Sequence, residues 1–169
     1  MAERPLLTFE LATEQDAPAL AELRTAAGVR LGEQFGPGPW AVAVTERGAL
    51  SGLRHAQVLV ARRGGDIVGT LRLATKKPWA IDPSYFTEVR RPLYLTDMAV
   101  VPDLQGRGIG RALLEEADRV ARIWPAEAIR LDAWDAEAGA GGFYAKCGYV
   151  NRGHTTYRGN PLVYFERLL

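Results

Sequence analysis

Cysteine is nearly absent from this sequence, and so is any excess of charge of one sign. The single cysteine, Cys147, excludes a disulfide within the chain and is typical of a reducing compartment. The net charge of +1 does not favour a nucleic-acid partner, which requires many cations. No apolar run approaches the roughly 20 residues of a transmembrane helix. Residues 1–5 lack the pattern of a signal peptide, so we expect a cytoplasmic protein with neither a nucleic-acid nor a membrane partner.

The 169 residues, with an apolar fraction of 47% and a charged fraction of 24%, are ordinary for one soluble globular domain. We therefore predict a single domain over residues 1–169. Predicted strands lie at 6–11, 57–61, 67–73, 93–100, 129–134, 149–157 and 162–168. Gly64-Gly65 is a hairpin signal between the second and third of them. Predicted helices run from Thr13 or Asp16 to 29, over 42–53, from the turn at 105–110 to Trp124, and over 139–146.

The most distinctive segment joins an apolar strand to an amphipathic helix through a glycine-rich turn. Glycines stand at positions 106, 108 and 110, directly after the strand predicted at 93–100. Glycine lets backbone N–H groups approach an anion closely, and the start of a helix adds partial positive charge. The segment therefore predicts a binding site for a pyrophosphate group.

Two common phosphate-binding motifs do not fit these residues. A P-loop ends in Gly-Lys-Ser/Thr, but Gly110 is followed by Arg111 and Ala112, so the hydroxyl that would bind magnesium is missing. A dinucleotide-binding fingerprint opens a βαβ unit near its start, whereas this turn lies late in the chain. We predict no metal site.

Residues 105–110, Gln-Gly-Arg-Gly-Ile-Gly, resemble the acyl-CoA motif of the GCN5-related N-acetyltransferase (GNAT) superfamily. That motif reads Gln/Arg-x-x-Gly-x-Gly/Ala and is matched by Gln105, Gly108 and Gly110. Residues 143–149, Phe-Tyr-Ala-Lys-Cys-Gly-Tyr, are similar to a second segment of the family, Phe-Tyr-x-Lys-x-Gly-Phe/Tyr. Two motifs in the expected order are more specific than either alone.

The resemblance implies an α/β (α+β) fold with a mixed, mostly antiparallel sheet flanked by helices. In that fold the strands ending near Val100 and Trp134 splay apart, and acyl-CoA enters the wedge between them. The resemblance also implies acetyl-CoA as the acyl donor. The cofactor-binding residues that it implies are Met98, Ala99 and Val100 on the strand, and Gln105, Gly106, Arg107, Gly108, Ile109, Gly110 and Arg111 in the turn.

Two residues are candidates for the chemistry that the resemblance implies. Tyr144 occupies the position of the family's thiolate-protonating tyrosine, and a buried core tyrosine is the alternative. Asp97 lies near the end of the central strand, where a carboxylate can take the amine's proton directly or through water. The alternative for Asp97 is a solvated aspartate at a strand end. Asp132 and Asp135 are weaker candidates for the base.

The long connection over residues 76–92 is predicted to determine the acceptor, because loops of this length are usually functional. Its side chains Trp79, Tyr85 and Phe86 are costly to leave in water. Together with Trp40 they are predicted to cover a small acceptor, and packing on the sheet edge or in a dimer contact is the alternative.

The resemblance and this loop favour an acetyl-CoA-dependent N-acetyltransferase. Its acceptor would be the primary amine of a small or amino-acid-like molecule, and the enzyme could form a homodimer. A protein or peptide N-acetyltransferase is one alternative. A non-catalytic acyl-CoA-binding module is another, and the presence of Tyr144 argues against it.

Overall fold

The computed structural model describes residues 6–169, and the expectation for residues 1–5 lies outside that range. The strands are β1 (Leu7–Leu11), β2 (Gln57–Arg63), β3 (Asp66–Ala74), β4 (Pro92–Val100), β5 (Ala128–Trp134), β6 (Val150–Tyr157) and β7 (Asn160–Leu168). The α-helices are α1 (Ala17–Phe35), α2 (Glu46–His55), α3 (Ile109–Ile123) and α4 (Gly141–Lys146). The chain forms two compact units: unit 1 extends to Leu73 and includes Asp97–Glu116, and unit 2 contains Ala74–Thr96 and Ala117–Leu169.

Unit 1 contains strands β1, β2 and β3 in that order, followed by the C-terminal half of β4. The pairs β1–β2 and β2–β3 are antiparallel, and the turn between β2 and β3 contains Gly64 and Gly65, as predicted. Helices α1 and α2 bury their apolar side chains against β2. The core residues of this cluster are Ala17, Leu20, Ala21, Ala49, Val58 and Val60.

Unit 2 contains the N-terminal half of β4 followed by β5, β7 and β6. Pro92–Tyr94 pairs in parallel with Ala128–Arg130, whereas β5–β7 and β6–β7 are antiparallel. The second core cluster joins the long connection to the sheet through Ile81, Phe86, Tyr94 and Tyr164. The predicted fold class, a mostly antiparallel sheet flanked by helices, is confirmed.

Helices α1 and α2 differ most from the prediction, and α4 begins at Gly141 instead of residue 139. Helix α1 continues to Phe35 instead of ending near residue 29. Helix α2 begins at Glu46 instead of residue 42, because the Thr45 side chain accepts a hydrogen bond from the Gly48 N–H at 3.1 Å and so fixes the N-cap. No helix within residues 6–169 has the length and apolarity needed to cross a membrane.

Candidate active site

The glycine turn of unit 1 is open on the side where a ligand would approach. Gly106 and Gly108 have φ angles of 73° and 86°, in the left-handed region that favours glycine. At either position, nothing lies within 4 Å of the place where a Cβ would be. The Gln105 side-chain amide donates a hydrogen bond to the Val100 carbonyl at 3.2 Å, and this bond fastens the turn to the end of β4.

Helix α3, which follows the turn, has 15 residues, so its N-terminus carries the partial positive charge of a full helix. The first N–H groups of a helix have no partner within it and are available to an anion. Buried Ile109 and Leu113 anchor this end of α3 in unit 1. The open glycine backbone and the helix start fit the pyrophosphate of an acyl-CoA. The predicted cofactor residues 98–100 and 105–111 all belong to this strand–turn–helix segment.

Asp97 interrupts the regular geometry of β4 and is held by two arginines of the same unit. Its φ of 55° is in the left-handed region, which is uncommon for residues other than glycine. Oδ1 lies 2.8 Å from Nη2 of Arg24 on α1, and Oδ2 lies 3.5 Å from Nε of Arg72 on β3. Asp97 is thus half-buried in an ion-pair cluster and is not a solvated strand-end aspartate.

These three residues line a small cavity within unit 1. Its other lining residues are Leu20, Ala49, Gly52, Val58, Thr70 and Leu71. The sequence reasoning missed Arg24 and Arg72. A signal for Arg24 existed, because it stands four and seven residues after buried Leu20 and Ala17 and so shares their helix face.

Tyr144 belongs to unit 2, on the short helix α4. It is 7% exposed, and its ring packs against Phe143, Tyr149 and Phe165 with centroid distances of 5.3, 5.8 and 6.0 Å. Burial raises the pKa of Tyr144, and the negative charge of Asp132 raises it further. The phenol therefore keeps its proton at neutral pH, which is the state that a proton donor requires.

The two weaker base candidates have different surroundings in unit 2. Burial raises the pKa of Asp132 above its usual range. Asp135 is exposed, and its Oδ2 lies 2.7 Å from Nδ1 of His154. Asp135 thus forms an exposed pair with His154. The charge of Asp132, in contrast, raises the pKa of Tyr144.

The aromatic residues predicted to cover the acceptor occupy several environments. Trp79 is 84% exposed. Tyr85 and Phe86 pack on Tyr164 of unit 2, with ring centroids 5.1 and 5.2 Å away. In unit 1, the Trp40 indole N–H donates to the Gly36 carbonyl at 3.2 Å. These contacts give Tyr85 and Phe86 a packing role, and lining the acceptor site stays a prediction for all four predicted residues, including Trp40 and Trp79.

Comparison with known proteins supports the resemblance to the GNAT superfamily. Residues 54–151, more than half of the chain, match a family model described as an acetyltransferase (GNAT) domain. No curated protein matches the chain significantly in sequence.

Solved structures resemble the chain over nearly its full length. Ribosomal-protein-alanine N-acetyltransferase from Brucella melitensis is 22% identical, with a TM-score of 0.73 over 96% of this chain and 99% of that one. The structure of yncA from Salmonella typhimurium with its cofactor acetyl-CoA is 18% identical, with a TM-score of 0.73 over 97% and 94%. The paia N-acetyltransferase from Thermoplasma acidophilum in complex with coenzyme A is 14% identical, with a TM-score of 0.74 over 97% and 99%. At these identities the likeness shows a shared fold.

The family match covers the end of α2, strands β2–β5, the glycine turn and α4. It therefore includes both motifs that carried the resemblance. The chain belongs to the GNAT family and is an N-acetyltransferase with acetyl-CoA as its acyl donor.

Proposed function

We propose that this enzyme transfers the acetyl group of acetyl-CoA to the primary amine of a small or amino-acid-like molecule by direct attack of the amine. One observation carries the proposal. Asp97 and the glycine turn belong to one continuous segment of unit 1. Unit 1 therefore contains both a carboxylate that lines a small cavity and a glycine backbone that suits a pyrophosphate group. A cavity of this kind suits a small acceptor better than an extended peptide.

Different residues of this chain would bind the cofactor and transfer the protons. The backbone amides of residues 105–111 would hold the pyrophosphate, and Arg107 and Arg111 would add positive charge near it. The 98–100 backbone would pair with the pantetheine amides. Acetyl-CoA supplies an activated thioester carbonyl, so no covalent nucleophile of the protein is needed. Asp97 would take the proton that the acceptor amine loses, and Tyr144 would give one to the thiolate that leaves.

The cofactor part of the proposal is tested with Gly108→Glu. Acetyl-CoA at about 100 times its Kd should stabilise the wild-type protein by about 2.7 kcal/mol, measured as a rise in Tm. In Gly108→Glu a side chain and a negative charge would occupy the place proposed for the pyrophosphate, so the rise in Tm should vanish.

Gly65→Glu is the matched control. Gly65 is also exposed, has a φ of 92° and has nothing within 4 Å of a Cβ position, but it lies in the β2–β3 turn. Its substitution introduces the same backbone strain and charge, and the response to acetyl-CoA should be retained. A folded Gly108→Glu protein with a wild-type response would contradict the assignment of the glycine turn.

A further inference from the structure

We infer that the acceptor carries a carboxylate as well as its amine, and that Arg24 and Arg72 bind this carboxylate while the amine lies at Asp97. The inference rests on the proposed function and specifies its substrate class. It concerns the cavity of unit 1, which all three residues line.

Charge is the first reason. Arg24, Arg72 and Asp97 are the ionisable residues that line the cavity, so its lining carries one net positive charge. A protonated amine with no anionic group would bring a further positive charge into this place. A molecule with both an ammonium and a carboxylate group complements the lining at both ends, and arginine matches a carboxylate with two parallel hydrogen bonds.

Hydrogen-bonding capacity is the second reason. An ionised carboxylate has about four acceptor positions; Arg24 donates a hydrogen bond to Oδ1 of Asp97 at 2.8 Å, and Arg72 lies 3.5 Å from Oδ2 as an ion pair. The remaining positions can accept from an ammonium group. A guanidinium group has five N–H donors, and Arg24 uses Nη2 toward Asp97. Arg24 can therefore bind a second carboxylate without breaking its ion pair with Asp97.

Accessibility is the third reason. The side chains of Arg24, Arg72 and Asp97 are 25%, 33% and 30% exposed, so a ligand can reach all three. Gly52 on α2 lets the guanidinium of Arg72 approach closely, since a Cβ there would lie 3.3 Å from Nη1. The small residues Ala49 and Gly52 and the apolar Leu20 favour an acceptor with a short apolar side chain.

A cluster that served only to hold α1 against the strands would behave differently. Its loss would lower the stability of unit 1 and leave the choice among acceptors unchanged. A carboxylate-binding cluster instead distinguishes acceptors that differ in one group.

The experiment compares L-α-amino acids with short side chains and their amides as acceptors. The amide retains the amine and the shape but removes the negative charge. Wild-type protein should show kcat/KM at least about tenfold higher for the acid, since a hydrogen bond to a charged group contributes this much or more. Arg24→Gln and Arg72→Gln should raise KM for the acids by about tenfold to a hundredfold. In both variants KM for the amides should change far less than KM for the acids, and the Tm response to acetyl-CoA should be retained.

Three further measurements sharpen the result. Arg72→Lys should retain part of the preference, because it keeps the charge and loses the planar fork. Arg54→Gln is the control, since Arg54 forms an exposed pair with Glu14 at 3.2 Å and does not line the cavity; its acid-to-amide ratio should equal that of wild type. Acids that lack the amine should inhibit wild-type protein competitively with the acceptor and not with acetyl-CoA, a test that requires no variant to fold.

Equal or better use of the amides, or glutamine variants that lose stability with an unchanged acid-to-amide ratio, would overturn the inference and leave the proposed function standing. The same holds for acids without the amine that fail to inhibit wild-type protein. If the protein binds acetyl-CoA but acetylates neither form, the inference is overturned, and the proposed function falls with it only if simple amines are not acetylated either.

Discussion

Tyr144 owes its chemical state to its surroundings in unit 2. The ring is buried among aromatic side chains, and the phenol stays neutral because burial and the nearby Asp132 charge both disfavour the phenolate. A group that serves as an acid must be protonated when the substrate arrives. Because the pKa of Tyr144 is raised, its phenol meets this requirement throughout the neutral and mildly alkaline pH range.

We predict that Tyr144→Phe lowers kcat by roughly 10²–10⁴-fold, the usual contribution of a general acid. The ring is kept, so stability and the Tm response to acetyl-CoA should change little. Because the pKa of Tyr144 is raised above its ordinary value of 10.0, ionisation of Tyr144 should cause no alkaline decline of wild-type kcat below about pH 10. Steady-state rates across this pH range check both points.

Tyr149→Phe is the matched control for this prediction. Tyr149 is also buried, its pKa is raised by burial, and its ring lies 5.8 Å from that of Tyr144. Its hydroxyl has no hydrogen-bond partner among the described residues, so its removal should leave kcat unchanged. Equal losses in the two variants, or no loss in Tyr144→Phe, would leave Tyr144 with a packing role only.

At the scale of elements, α3 packs directly on the backbone of β3. A Cβ added to Gly69 would lie 2.8 Å from Cδ1 of Leu113 and 3.1 Å from Cγ2 of Ile109. Both side chains are buried. The absence of a side chain at Gly69 therefore permits the close approach that holds the first turns of α3, and with them the glycine turn, in place.

We predict that Gly69→Val destabilises the protein by about 1–3 kcal/mol, the usual cost of overpacking a core, and weakens acetyl-CoA binding because the start of α3 must move. Gly69→Ala should show a smaller effect in the same direction. Denaturant unfolding and calorimetric titration with acetyl-CoA measure the two quantities. Wild-type affinity in a destabilised Gly69→Val protein would show that the helix position does not govern the cofactor site.

Local patterns predicted most elements, and tertiary contacts explain where they failed. The Gly64-Gly65 turn and the amphipathic α3 are specified by neighbouring residues, and both are confirmed. Helix α1 continues through Gly28 and beyond residue 29, where a helix stop was expected. A Cβ at Gly28 would lie 2.6 Å from the Trp40 carbonyl oxygen, so this glycine serves a close contact with the following loop and does not end the helix.

In the candidate site, too, features set by neighbouring residues could be predicted from the sequence, whereas features formed by residues far apart in the chain could not. The glycine turn could be predicted because all its determinants lie within one short segment. Arg24, Arg72 and Asp97 come together from α1, β3 and β4, and no spacing in the sequence relates them. An arginine is ordinarily a solvated surface residue. Helical spacing places Arg24 on the buried face of α1, but only the folded chain shows that Arg24 and Arg72 meet around Asp97 and line a cavity.

At the scale of the whole molecule, the residues with proposed roles belong to two compact units, and substitutions can test each unit separately. Unit 1 carries the glycine turn and the Asp97 cavity, and unit 2 carries Tyr144. Variants of the glycine turn, Arg24 or Arg72 in unit 1 should alter the binding of acetyl-CoA or of the acceptor, whereas variants of the two proton-transfer groups, Asp97 in unit 1 and Tyr144 in unit 2, should alter kcat. The single-domain organisation, the cytoplasmic location and the homodimer expected from the sequence stay predictions.

The central claim is that the chain transfers acetyl groups from acetyl-CoA to amines, and one assay tests it directly. Wild-type protein is incubated with acetyl-CoA and a set of amino acids, amino-acid amides and simple amines, while thiol release and product mass are followed together. We predict that release of the CoA thiol depends on the amine and matches the N-acetylated product one for one. Protein that binds acetyl-CoA but yields no N-acetylated product from any of these amines, or releases thiol at a rate independent of them, would contradict the claim.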